Sequence, residues 1–81
     1  MATVHLQRSH AEFTAGEQVL QVKGDTVGQI INELERRYPG LGAFLRTANS
    51  VAINSEIIAN GQFERVDESA DVHFIARLSG G

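Results

Sequence analysis

One stretch of this chain repeats its apolar residues at helical spacing over three turns. Val27, Ile30, Ile31, Leu34 and Tyr38 sit at i, i+3, i+4, i+7 and i+11, a single stripe along one helix face. Thr26 is placed to cap the first turn, and Gln29, three residues on, to reach back as in a capping box. Arg36 and Arg37 complement the negative end of the helix dipole, and Pro39-Gly40 cannot continue the helix. Gly28 in the first turn costs up to about 1 kcal/mol relative to alanine. It reads either as close packing on a strand or as tolerance near a helix end. One amphipathic helix covers one face of one sheet, so the rest of the chain must supply that sheet.

The flanking segments have the other period. Val4 and Leu6 alternate with His5 and Gln7, and Leu20 and Val22 with Gln21, as in half-buried strands; the Ala15-Gly16 step between them suggests a hairpin. Beyond the helix, a short apolar stretch at Leu41, Phe44 and Leu45 leads to Val51-Ala52-Ile53, a strand. Asn54-Ser55-Glu56 reads as a turn and Ile57-Ile58 as a second short strand. Phe63 and Val66 are expected to anchor the next loop. The final strand, Val72 to Ala76, turns Val72 and Phe74 to one face and His73 and Ile75 to the other.

This order is that of an α+β domain of β-grasp type: a mixed sheet of four to five strands covered by one main helix. In that arrangement the first and last strands can lie parallel at the sheet centre. The expected organisation is a β-grasp domain over residues 1–76 and a flexible C-terminal tail over 77–81.

Composition excludes several functions. A formal net charge of −3 with no basic cluster gives nucleic acid and anionic membranes no footprint. No apolar run has the length of a membrane span, and the first residues lack a secretory pattern, so a cytoplasmic location is expected. Absence of cysteine removes disulfides, zinc thiolates and cysteine nucleophiles. His5, His10 and His73 show no ligand spacing, so no metal is expected. No acid, base or nucleophile constellation can be assembled, so the chain is expected to be a carrier or co-substrate and not an enzyme.

The chemistry concentrates in Leu78-Ser79-Gly80-Gly81. Without Cβ atoms the diglycine can thread a narrow channel, and a nucleophile can approach the last carbonyl unhindered. A terminal carboxylate is ionised at neutral pH and can attack the α-phosphorus of ATP; the resulting acyl-adenylate is opened by a thiol, a persulfide or an amine. An inert, disordered end is the alternative. A chain without cysteine cannot carry sulfur as its own persulfide, which leaves the terminal carboxylate as the attachment point.

Four pieces together resemble the ubiquitin-like sulfur carriers of the MoaD/ThiS type: Gly24-Asp25-Thr26-Val27-Gly28, Glu35-Arg36-Arg37-Tyr38-Pro39-Gly40-Leu41, Val51-Ala52-Ile53-Asn54 and Leu78-Ser79-Gly80-Gly81. The resemblance covers nearly the whole chain. Its length and the long Tyr38 to Phe44 connection look most like the molybdopterin synthase small subunit. It departs from that branch at Ala76-Arg77-Leu78, where a Pro-Pro-Val-like step is common, at Ser69-Ala70-Asp71-Val72 and at Gln7.

The resemblance implies that a ubiquitin-activating-type adenylyltransferase uses ATP to adenylate Gly81. A persulfide donor then leaves a thiocarboxylate there, which gives its sulfur to an acceptor such as the molybdopterin synthase large subunit. No cofactor is bound by the chain itself. Cysteine, thiamine and secondary-metabolite synthesis, and conjugation through Gly81 to a lysine of a target, remain open. Gly80, Ser79, Leu78, Arg77, Ile75 and Ile57 are the candidate partner-binding residues. Ile75 is expected on an exposed docking face, whereas Ile57 reads equally as docking surface or as core. Glu64, Asp67, Glu68 and Asp71 read as a solvated loop more than as a steering patch.

Overall fold

The computed structural model describes residues 1–47, 49–58 and 63–76. Its elements are β1 (Ala2–His5), β2 (Val19–Val22), α1 (Val27–Arg37), α2 (Leu41–Thr47), β3 (Asn49–Ile53), β4 (Glu56–Ile58) and β5 (Asp71–Ala76), with a 3-10 turn at Arg8–His10. The strands form one mixed sheet in the order β2-β1-β5-β3-β4. β5 runs parallel to β1 and antiparallel to β3, so the last strand lies at the centre. This is the β-grasp architecture. The expected tail, residues 77–81, lies outside the described residues.

The helix forms as its stripe dictates: Val27, Ile30, Ile31 and Leu34 are buried and Tyr38 is half-buried. They pack on Val4, Val22, Val72 and Phe74 from the inner faces of β1, β2 and β5. Thr26 Oγ1 accepts the Gln29 N–H at 3.2 Å. The Gln29 side chain reaches one residue further out than a capping box requires and accepts the N–H of Asp25 at 2.8 Å. Gly24 just before it has no room for a Cβ, which would stand 2.9 Å from Ile30 Cγ1.

The expected hairpin forms, with β1 and β2 pairing antiparallel. Its Ala15-Gly16 step has two positive φ angles, 55° and 93°, and lies towards the end of a longer wound connection. That connection closes on His10, which is fully buried, accepts the Gln7 N–H on Nδ1 at 2.9 Å and meets the Phe44 ring at 5.4 Å. The short apolar stretch of Leu41, Phe44 and Leu45 forms a second helix, α2, with Leu41 and Leu45 buried. Phe63 is 83% exposed and anchors nothing. The loop is held by the buried Val66 and by backbone: Val66 N–H to the Asp25 carbonyl at 2.9 Å and Val27 N–H to the Glu64 carbonyl at 3.0 Å.

Glu35, in the last turn of α1, sets the start of α2. Its carboxylate accepts the Gly40 N–H at 2.9 Å and the Gly42 N–H at 2.8 Å, satisfying first-turn donors that have no partner within the helix. The Asn54-Ser55 turn is as expected, with φ of 49° and 73° in the left-handed region that a two-residue hairpin between β3 and β4 uses.

Candidate functional site

β5 carries the candidate site because it leads into Arg77. It pairs with β1 over Asp71 to His73, opposite Thr3 to His5, and with β3 over Val72 to Ala76, opposite Ile53 to Asn49, so that Phe74 to Ala76 are held on the β3 side. Val72 and Phe74 are buried beneath α1. A strand held in this way and packed on one face is a rigid base as far as Ala76. Arg77, Leu78, Ser79, Gly80 and Gly81 themselves lie outside the described residues.

Strand alternation turns the other face of the sheet away from the helices. The register aligns Val19, His5, His73, Ala52 and Ile57 in one row across all five strands. Both ends of that row are exposed, Val19 at 56% and Ile57 at 69%. Ile57 is therefore surface and not core. Ile75 stands on the same face, opposite Ser50 and half-buried. The sheet thus brings Ile57 and Ile75 onto one surface, apolar at its margins and continuous with the end of the strand from which the tail departs.

The middle of the row is aromatic, a pairing that the sequence alone does not show. The His5 and His73 rings stack at 4.2 Å, and His5 Nε2 lies 2.9 Å from Asp71 Oδ1. Alternation alone puts both histidines on the outer face. Only the parallel register, which sets His5 opposite His73, brings the rings together. Asp71 is engaged there, while Glu64, Asp67 and Glu68 are exposed in the preceding loop. Among the described residues no group of three or more histidine, aspartate or glutamate side chains is arranged to hold a metal. Among them, too, no helix is long and apolar enough to cross a membrane.

The sequence model of the ThiS family matches residues 4–81, which takes in β2 to β5, the second half of β1, both helices and the diglycine. The chain belongs to the ThiS family. It is a ubiquitin-like sulfur carrier of the MoaD/ThiS type, and no particular closeness to the molybdopterin branch is shown. No curated protein matches it significantly.

Solved structures superpose on it end to end. One is a chain of the Amycolatopsis orientalis BexX/CysO complex, at 25% identity and a TM-score of 0.86 over 100% of both chains. Mycobacterium tuberculosis CysO gives 20% identity and a TM-score of 0.87 over 96% of this chain and 100% of that one. Small archaeal modifier protein 1 from Methanosarcina acetivorans gives 21% and 0.82 over 99% and 95%. The last two establish the fold. These ThiS-like neighbours are small proteins of the same single-domain size.

Proposed function

We propose that this ThiS-family protein carries sulfur as a thiocarboxylate on Gly81. The observation that carries the reading is the central β5, paired with β1 at its start, with β3 up to Ala76 and packed on one face, followed in sequence by Arg77-Leu78-Ser79 and the side-chain-free Gly80-Gly81. The Gly81 carboxylate attacks the α-phosphorus of ATP on a ubiquitin-activating-type enzyme and pyrophosphate leaves. A persulfide then attacks the acyl carbon and AMP leaves. Cleavage of the resulting acyl disulfide by a thiol of the activating system frees the thiocarboxylate. The chain supplies the reacting carboxylate and its presentation; catalysis belongs to the partners, in the cytoplasm.

The outer face with Ile57 and Ile75 is the docking surface in this reading, and Arg77, Leu78, Ser79 and Gly80 are the segment the partner's channel grips. The likeness to CysO, which is solved in complex with BexX, supports a carrier that docks on a partner protein. The acceptor is the variable part: molybdopterin synthesis is one outlet, and cysteine, thiamine or secondary-metabolite synthesis use the same tail chemistry.

Intact mass after incubation with the native activating enzyme, ATP and a persulfide donor tests the reading. Replacement of one oxygen by sulfur at Gly81 is the expected result. Stable AMP release without sulfur uptake, together with Gly81 linked to lysines of other proteins, favours the modifier reading instead.

A further inference from the structure

Lys23 is the only lysine in the chain; every other lysine-or-arginine position is arginine, whose guanidinium stays protonated and does not act as a nucleophile. It follows Val22 at the end of β2, is exposed, and makes no hydrogen bond or ion pair among the described residues. It stands in the lining of a concavity of about 500 Å³ together with Gly24, Asp25, Arg65, Asp67 and Glu68. Backbone fixes the shape of this groove, since the Val66 N–H to Asp25 carbonyl bond and the Thr26–Arg65 bridge tie its two walls together.

Strand direction puts the groove at the end of the sheet remote from the tail. Extending the registers, Ala76 falls opposite position 8 of the first strand and Lys23 opposite position 1. Seven residues of rise and two strand spacings separate them by about 25 Å. Residues 77–81 span about 18 Å at most when fully extended. Because β5 points away from Lys23, a tail that turned back would have no length left to reach it. The chain's own Gly81 is excluded by topology, and the Gly81 of a second copy is not.

We propose that Lys23 is a covalent acceptor for the activated tail of a second copy of this chain, seated in the Lys23–Arg65 groove, giving an isopeptide-linked head-to-tail pair. This rests on the activation of Gly81 proposed above. The Lys23 ε-amine, having lost a proton to solvent, attacks the Gly81 acyl carbon. The C–N bond forms, the nitrogen gives up its second proton to solvent, the bond from that carbon to the adenylate oxygen breaks, and AMP leaves with the electron pair. The incoming segment Arg77-Leu78-Ser79-Gly80-Gly81 suits the groove in chemistry: a diglycine without side chains at the amine, and Arg77 for the carboxylates of Asp25 and Asp67, Glu68 already facing the Met1 ammonium at 4.0 Å.

The full chain with Gly81 prepared as an alkyl thioester, a leaving group that needs no enzyme, is mixed with isotope-labelled full chain. The expected product is a covalent pair whose tryptic map carries Leu78-Ser79-Gly80-Gly81 on Lys23. It forms at least about tenfold faster than acylation of a free lysine amide at the same concentration, because the groove supplies proximity. Lys23→Arg abolishes it, and Asp67→Asn, which removes a carboxylate for Arg77, slows it severalfold. Acylation of Lys23 no faster than the free amide, transfer to the N-terminal amine instead, or a cyclised monomer overturns the proposal. Since the thioester is installed chemically, those outcomes leave adenylation of Gly81 untouched, and a failure of adenylation leaves this measurement intact.

Discussion

Glu35 stands in the last turns of α1, where the helix dipole disfavours a negative charge, yet it is held there by the donors it serves. The Gly40 N–H, then the Gly42 N–H, keep its carboxyl below its ordinary value of 4.5. A carboxyl whose folded value is depressed contributes stability that is complete above its unfolded value and is lost as pH falls through the lower folded one. Glu35→Gln is therefore expected to lower the urea midpoint at neutral pH and to flatten its decline on acidification, read from denaturation curves on either side of 4.5. Gly42 tests the same joint from the other side. A Cβ there would stand 2.8 Å from Glu35 Cβ, so Gly42→Ala is expected to cost about 1–3 kcal/mol, as overpacking does, with an unchanged m-value. Thr26 as a cap was legible because a cap depends on local spacing alone. His10 was not: its burial depends on a 3-10 turn and on Phe44 more than thirty positions away in the chain, and the residue type itself is as often exposed as buried.

At the scale of elements, α1 was legible from end to end because its stripe, its cap and its Pro39-Gly40 stop all agree. α2 was not, since Leu41, Phe44 and Leu45 offer one repeat of helical spacing, and what starts the helix is Glu35 from the preceding one. Arg37 shows a similar reach across elements. It was read as a complement to the helix dipole, and in the structure it pairs with Glu33 at 3.2 Å and also donates from Nη1 to the Gln21 carbonyl at 3.1 Å. Gln21 is on β2, an edge strand, and an uncovered edge is a template for a strand from another molecule. Arg37→Ala removes that cover. The expected outcome is concentration-dependent self-association detected by light scattering during size-exclusion chromatography, with the monomer's circular dichroism unchanged. A variant that stays monomeric at every concentration shows that the short β2 is protected by its length alone.

At the scale of the molecule, the parallel pairing of β1 and β5 followed from the order of elements, because a hairpin, one helix and a final strand leave the centre of the sheet as the place where the last strand is paired on both sides. What that order could not supply was the composition of the outer face, since a row such as Val19–His5–His73–Ala52–Ile57 exists only once four registers are fixed. It also left Ile57 undecided between core and surface, and the structure leaves that side chain 69% exposed. Docking and chemistry are thereby separable. Ile57→Asp removes apolar surface that the core does not use, so its unfolding free energy from urea denaturation is expected to stay within about 0.5 kcal/mol of wild type. Its affinity for the activating enzyme, measured by calorimetry, is expected to fall about tenfold or more if Ile57 is a central anchor of that interface. Deletion of Gly81 is expected to give the reverse: affinity for the outer-face contact retained, and adenylation, followed by ATP–pyrophosphate exchange, abolished. Exchange that survives the deletion removes the carboxyl of Gly81 from the chemistry. Unaltered affinity in Ile57→Asp moves the docking surface away from the β4 side of the sheet, toward Ile75 and the histidine pair.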